Sequence, residues 1–169
     1  TWVIDIETRV PVDETTGNPS GFPDVRTANA AITLISMYDV HTDQCFSFGY
    51  KDYTGKDSGA RYLNCGTEEE MFRQFLNFLS IKNVEVLTGW NCNAFDIPFI
   101  ANRIKNVLGE EYMHRLSPWG NVRFREVKQG KKKIQMVVIA GIAVIDYLDL
   151  YRKFTYVKQE SYSLGHIAQ

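Results

Sequence analysis

The chain has 169 residues, 44% of them hydrophobic and 13% aromatic, which is the content of one packed domain with a single core. A formal net charge of -1 excludes a global electrostatic pull toward nucleic acid, so any basic surface has to be local. Cys45, Cys65 and Cys92 are odd in number, widely spaced and without C-x-x-C, which argues against a disulfide framework or a zinc site and fits a reducing cytosol.

No signal peptide is visible, and the longest apolar run, Met136 to Ile145, is about half the length a membrane span needs. The chain starts at Thr1 without a Met, directly in a strand, and stops at Gln169 in a young helix. A fragment of a longer polypeptide is expected.

Trp2-Val3-Ile4-Asp5-Ile6-Glu7-Thr8 has the character of a central strand buried on both faces. Side chains alternate along a strand, so Asp5 and Glu7 project from one face with their carboxylates close together. Buried carboxylates without partners either shift their pKa upward or coordinate a cation; the other reading is that these acids end an exposed strand. Residues 9–29 form a long Pro-, Gly- and Asp-rich loop, in which Phe22 either pins the loop to the core or contacts a ligand.

Residues 30–40 and 45–50 flank a hairpin-length turn and complete an antiparallel meander with the first strand. Residues 51–66 read as a second loop. Thr67 and Glu70 form a capping box ahead of Phe72, Phe75, Leu76 and Leu79, the apolar stripe of a helix. Residues 84–90 are a short buried strand, followed by the turn Asn91-Cys92-Asn93-Ala94. A second helix begins near Asp96, with Ile97, Ile100, Ile104 and Leu108 on one face up to Gly109.

A short helix covers 110–116. Residues 122–128 and 134–140 form a basic hairpin around Gln129-Gly130-Lys131-Lys132-Lys133. Gly141 marks a bulge into a further strand at 142–148, and 149–158 is a polar and aromatic connection to a last helix from Ser161. The order places ligands at the carboxyl ends of parallel strands, after Glu7 and after Trp90. Asp96 lies six residues beyond the second of these ends, at a helix N-terminus, where it can serve as a cap or turn toward Asp5 and Glu7.

Asp5-Ile6-Glu7-Thr8 resembles the first exonuclease motif of family B DNA polymerases. The second, Asn-x-x-x-Phe/Tyr-Asp, resembles Asn91-Cys92-Asn93-Ala94-Phe95-Asp96. The likeness is closer to replicative polymerases of tailed bacteriophages through Gly21-Phe22-Pro23, Arg115-Leu116-Ser117-Pro118, Asp146-Tyr147-Leu148-Asp149-Leu150-Tyr151 and Ser161-Tyr162-Ser163-Leu164.

This resemblance implies an α/β fold, a ribonuclease H-like mixed sheet with flanking helices and an inserted hairpin, acting as a DEDD exonuclease that removes misincorporated nucleotides from the primer 3′ end. It implies Asp5, Glu7 and Asp96 as catalytic carboxylates holding two Mg²⁺ or Mn²⁺ ions, with Asp5 bridging both. Such ion pairs sit roughly 3.5–4 Å apart and clamp the two oxygens of an in-line displacement. It also implies Phe22 and Phe95 as aromatics against the terminal bases, worth about 1–3 kcal/mol per base, and Asn91 as a hydrogen-bonding partner near the terminal nucleotide.

From Arg123 to Lys133 there are six basic residues and one acid, a local net of +5. These residues, among them Arg123, Arg125, Lys131, Lys132 and Lys133, form either a solvated hairpin or a phosphate-contacting finger, for which the resemblance implies a part in separating the primer strand. The implied partners are single-stranded and primer–template DNA, a sliding clamp and a polymerase domain of the same polypeptide, in the cytoplasm of an infected bacterium if the source is a phage. No membrane partner is expected.

The third motif of the family, Tyr-x-x-x-Asp, is expected beyond Gln169, as is the polymerase domain. Tyr53-Thr54-Gly55-Lys56-Asp57 matches its letters but precedes the second motif, and Asp146 and Asp149 match a structural stretch instead. The fragment alone is therefore expected to bind metal weakly and to cleave poorly or not at all. A free-standing DEDD exonuclease and an inactive strand-binding module of the same fold remain alternatives.

Overall fold

The structure is a computed structural model that describes residues 1–12, 15–19, 21–53, 59–129 and 132–168. Strand β1 (Trp2–Thr8) pairs antiparallel with β2 (Ile32–Asp39), which pairs antiparallel with β3 (Gln44–Gly49), giving the expected meander. On its other edge β1 runs parallel to β5 (Val86–Gly89), and β5 runs parallel to β8 (Ala143–Asp146). With β4 (Ala60–Asn64) at the far edge, the order is β4-β3-β2-β1-β5-β8, and β1 is internal as its sequence suggests.

One side of the sheet carries the core. Helix α1 (Glu68–Ile81) buries Met71, Phe72, Phe75, Leu76 and Leu79. The Phe78 ring stands edge-on to Trp2 at 5.1 Å and to Phe48 at 5.2 Å. Such edge-to-face contacts add to the area these rings bury. Thr67 caps α1 by accepting from the Glu70 amide, but the box is not reciprocal: the Glu70 carboxylate accepts from Gln74, and the Thr67 amide donates to Cys65 O. Helix α2 (Asp96–Leu108) buries Ile97, Ile100 and Ile104, and α3 (Glu110–His114) follows directly.

Arg103 of α2 makes a two-pronged bond to Glu68 of α1, at 2.9 and 2.7 Å. The same Glu68 accepts from the Ile32 amide, and Arg103 also donates to the carbonyls of Ala28 and Asn29. One ion pair thus joins both helices, the start of β2 and the end of the long loop.

Four elements differ from the sequence reading. β1 is not buried on both faces: Trp2, Ile4 and Ile6 are buried, whereas Asp5 and Glu7 on the opposite face are exposed. The 51–66 stretch contains an edge strand, β4, held by its parallel ladder to β3 and not by buried side chains. Helix α4 (Tyr147–Phe154) occupies much of the segment read as a connection; the last helix, α5, spans Leu164–Ile167.

β8 does not extend the hairpin but joins the main sheet, and Gly141, with φ +89°, makes the turn between them. A Cβ there would lie 2.6 Å from the Pro118 ring, so both its conformation and its surroundings demand glycine.

The hairpin of β6 (Val122–Gln129) and β7 (Lys132–Ile139) is a separate two-stranded sheet, as expected. Val122, Val137 and Ile139 anchor its base in the core. Lys131 at its tip, residues 54–57 of the Tyr53 stretch and Gln169 lie outside the described residues.

Candidate active site

Strand β5 ends at Gly89, one residue past its Val3↔Thr88 pair, while β1 runs on to Thr8, and the turn after β5 delivers α2 beside that second half of β1. The first residue of α2, Asp96, is 4% exposed, and its Oδ1 accepts from the Ile6 amide of β1 at 3.2 Å. That single bond places its carboxylate between the positions of Asp5 and Glu7 along the strand. Burial, then repulsion from Asp5, raises the Asp96 pKa from 3.8 to about 7. The Asp5 side chain reaches solvent, yet the protein around it withdraws enough water to push its pKa up as well.

Asp5 and Asp96 are thus close enough to repel each other. An added cation relieves that repulsion, and hard carboxylate oxygens suit Mg²⁺ or Mn²⁺. Glu7 shares the face of Asp5 but points outward, next to an irregularity in the β1–β2 register between Glu7 and Thr8. Among the described residues no three His, Cys, Asp or Glu side chains converge tightly enough to hold a metal ion. The fit to a cation therefore rests on the Asp5 and Asp96 pair.

Phe22, 92% exposed on its loop, meets Phe95 edge-on with ring centroids 6.5 Å apart, and Phe95 in turn packs on Phe99 at 5.5 Å. Phe95, at the N-cap of α2 and packed on Phe99, thus backs a second aromatic that stands in solvent, directly beside Asp96. Asn91 is exposed, with φ +62°, at the head of the same turn.

On the hairpin, Arg123 and Arg125 are exposed on one face of β6. Arg123 Nε donates to Asn121 Oδ1 at 3.1 Å. Lys133 lies 3.7 Å from Glu126, whose other oxygen holds Arg26 at 2.9 Å. Lys132 belongs to β7, and Lys131 lies outside the described residues.

Sequence reasoning did not find the residues that join these parts. Asn102, 9% exposed on α2, donates to Val25 O at 2.9 Å and to Gln135 Oε1 at 2.7 Å, tying the Phe22 loop and the hairpin to one helix. Arg26 bridges the same loop to Glu126. A polar residue on an otherwise apolar helical face was the only sign of Asn102 in the sequence. A cleft of about 580 Å³ lies elsewhere, beyond the amino ends of β5 and β8, lined by Leu79, Glu85, Arg115, Trp119 and Ile142; it contains none of the candidate residues.

The family model described as DNA polymerase family B, exonuclease domain, matches residues 5–167. This chain belongs to that family. It is 32% identical over 177 aligned residues to the DNA-directed DNA polymerase of Escherichia phage RB69, covering 90% of this chain and 20% of that protein. To the DNA-directed DNA polymerase of Enterobacteria phage T4 it is 37% identical over 108 residues, 64% of this chain and 12% of that protein. A DNA polymerase catalytic subunit of Psittacid herpesvirus 1 is 30% identical over 113 residues, 64% of this chain and 10% of that protein.

The chain therefore spans about a fifth or less of the polymerases it matches. The mixed sheet with flanking helices agrees with the exonuclease-domain fold of family B polymerases, and the Asp96 bond to Ile6 joins the segment after β5 to β1. Among the described residues no helix is long and apolar enough to cross a membrane.

Proposed function

We propose that this domain is the proofreading 3′→5′ exonuclease of a phage-type DNA polymerase, hydrolysing the primer-terminal phosphodiester with divalent metal ions. The observation that carries the reading is the Asp96 bond to the Ile6 amide, which brings the second motif against the first and sets two repelling carboxylates beside β1 just past the end of β5. Asp5 and Asp96 would hold the cations, with Glu7 turning inward from the same face as Asp5. The bound ions would supply the positive charge that an in-line displacement at phosphorus needs.

The chain's own residues supply the positioning. Phe22 and Phe95 offer π-faces to terminal bases without regard to sequence. Asn91 offers an exposed amide beside them. Arg123, Arg125, Lys131, Lys132 and Lys133 give the hairpin a charge suited to backbone phosphates, while Arg26 and Asn102 hold it in line with the Phe22 loop. The products are a nucleoside 5′-monophosphate and a primer shorter by one residue. A polymerase domain and a sliding clamp are the partners this reading implies.

The test uses the intact polymerase. Asp5→Ala combined with Glu7→Ala should abolish degradation of single-stranded DNA and leave nucleotide incorporation nearly unchanged. Normal degradation by the double variant would remove these acids from the mechanism. An intact wild-type protein that binds single strands but degrades none, with either metal, would make the domain a strand-binding module.

A further inference from the structure

We propose that Asp146 is a positioning residue for the second motif: it clamps the turn that carries Asn91 and Phe95 and thereby sets where Asp96 meets β1. The inference rests on the reading of Asp96 as part of the nuclease site.

Asp146 ends β8 and is 4% exposed, and all three of its hydrogen-bond donors are backbone amides. Its Oδ1 accepts from Asn91 at 3.0 Å and Leu148 at 2.9 Å, and its Oδ2 accepts from Asn93 at 2.9 Å. The Leu148 bond is an ordinary N-cap of α4. The other two reach a segment 55 and 53 residues earlier in the chain, which no cap requires.

The turn closes on itself through the Ala94 and Phe95 amides, which donate to Asn91 O at 3.1 Å, and the Ile97 amide, which donates to Cys92 O at 3.0 Å, but those bonds do not fix it to the sheet. Asn91 adopts a left-handed backbone conformation, φ +62°, which asparagine tolerates better than most residues, and its amide is the one Asp146 Oδ1 holds. Phe95, the residue before α2, provides no side-chain cap. The Asn91 and Asn93 amides, by contrast, are satisfied from β8, the next strand of the sheet. Asp96 leaves this turn directly, and its bond to Ile6 spans 3.2 Å, so a shift in the turn is a shift in the carboxylate. With both oxygens engaged by amides and the side chain 4% exposed, Asp146 is placed to hold the turn. Asparagine at this position would keep the volume but turn an N–H₂ donor toward one or two amide donors.

The test compares Asp146→Asn and Asp96→Asn with the wild-type polymerase. Displacement of a reacting group by about 1 Å can cost on the order of 100-fold in rate. Asp146→Asn should accordingly lower kcat for single-strand degradation by about 10- to 100-fold. KM for DNA should change less than about threefold, and half-maximal degradation should need more Mn²⁺, with incorporation unchanged. A fall in degradation and incorporation together, with the Mn²⁺ requirement unmoved, would show a merely structural role and overturn the proposal. So would wild-type kcat and Mn²⁺ requirement in Asp146→Asn alongside an inactive Asp96→Asn, an outcome that leaves the site itself standing.

Full degradation by Asp96→Asn would instead overturn the reading on which the inference rests. If Asp146→Asn does not accumulate in folded form, hydrogen exchange on the wild-type polymerase decides. The Asn91 and Asn93 amides should be protected as strongly as the β5–β8 ladder, and exchange at the rate of an open loop would refute the clamp.

Discussion

Replacing Asp96 with asparagine should stabilise the metal-free chain at alkaline pH and not at acid pH. Its carboxyl titrates near pH 7 when folded and near 3.8 when unfolded. Between these values the folded state binds more protons than the unfolded one, so this group's contribution is fully present below about pH 4 and is lost as pH rises through about 7.

At about 1.4 kcal/mol per pH unit the loss amounts to roughly 4 kcal/mol. Asparagine does not titrate, and its Oδ1 can still accept from Ile6. Thermal unfolding in a chelator should therefore show Asp96→Asn above wild type by on the order of 10 °C at pH 8, with the gap closing toward pH 4. Excess Mn²⁺ at pH 8 should raise the wild type and leave the variant unmoved. A gap that stays constant from pH 4 to pH 8 would refute the claim that Asp96 is a buried acid held against Asp5.

Phe22→Ala should weaken single-strand binding by about 1–3 kcal/mol, read as a rise in KM for degradation with kcat nearly kept, because the exposed ring is offered to one base. Arg123→Glu with Arg125→Glu should impair degradation from a duplex end more than from a single strand and flatten the salt dependence of duplex binding; equal losses on both substrates would point to a solvated hairpin. Arg103→Ala should cost about 3–5 kcal/mol in a denaturant titration, since it strands the largely buried Glu68 among α1, α2 and β2. Arg26→Ala should change stability by less than about 1 kcal/mol, because its pair with Glu126 is exposed.

The elements that were legible in the sequence are those whose side chains decide them. The aromatic stripe of α1, the isoleucine face of α2 and the alternating base of the hairpin all carry their period in the letters. β4 does not: only its backbone ladder to β3 makes it a strand, and its Gly-rich approach reads as loop. α4 was hidden because aromatic and charged residues fill its surface and Leu148 alone is buried.

In the site, Asp5 and Asp96 were legible as chemistry, and the fold supplies their meeting through one bond across 90 residues of chain. The exposure of Asp5 and Glu7 was not, because an apolar run reads the same whether one or both faces are covered. Asp146 and Asn102 act by joining elements distant in sequence, and no local spacing encodes that.

The most direct measurement is the anomalous scattering of a crystal of the intact polymerase soaked in Mn²⁺. Density in contact with both Asp5 and Asp96, beside β1 just past the end of β5, is the outcome this account predicts. Asp5 and Asp96 turned apart, with manganese bound elsewhere or not at all, would contradict it.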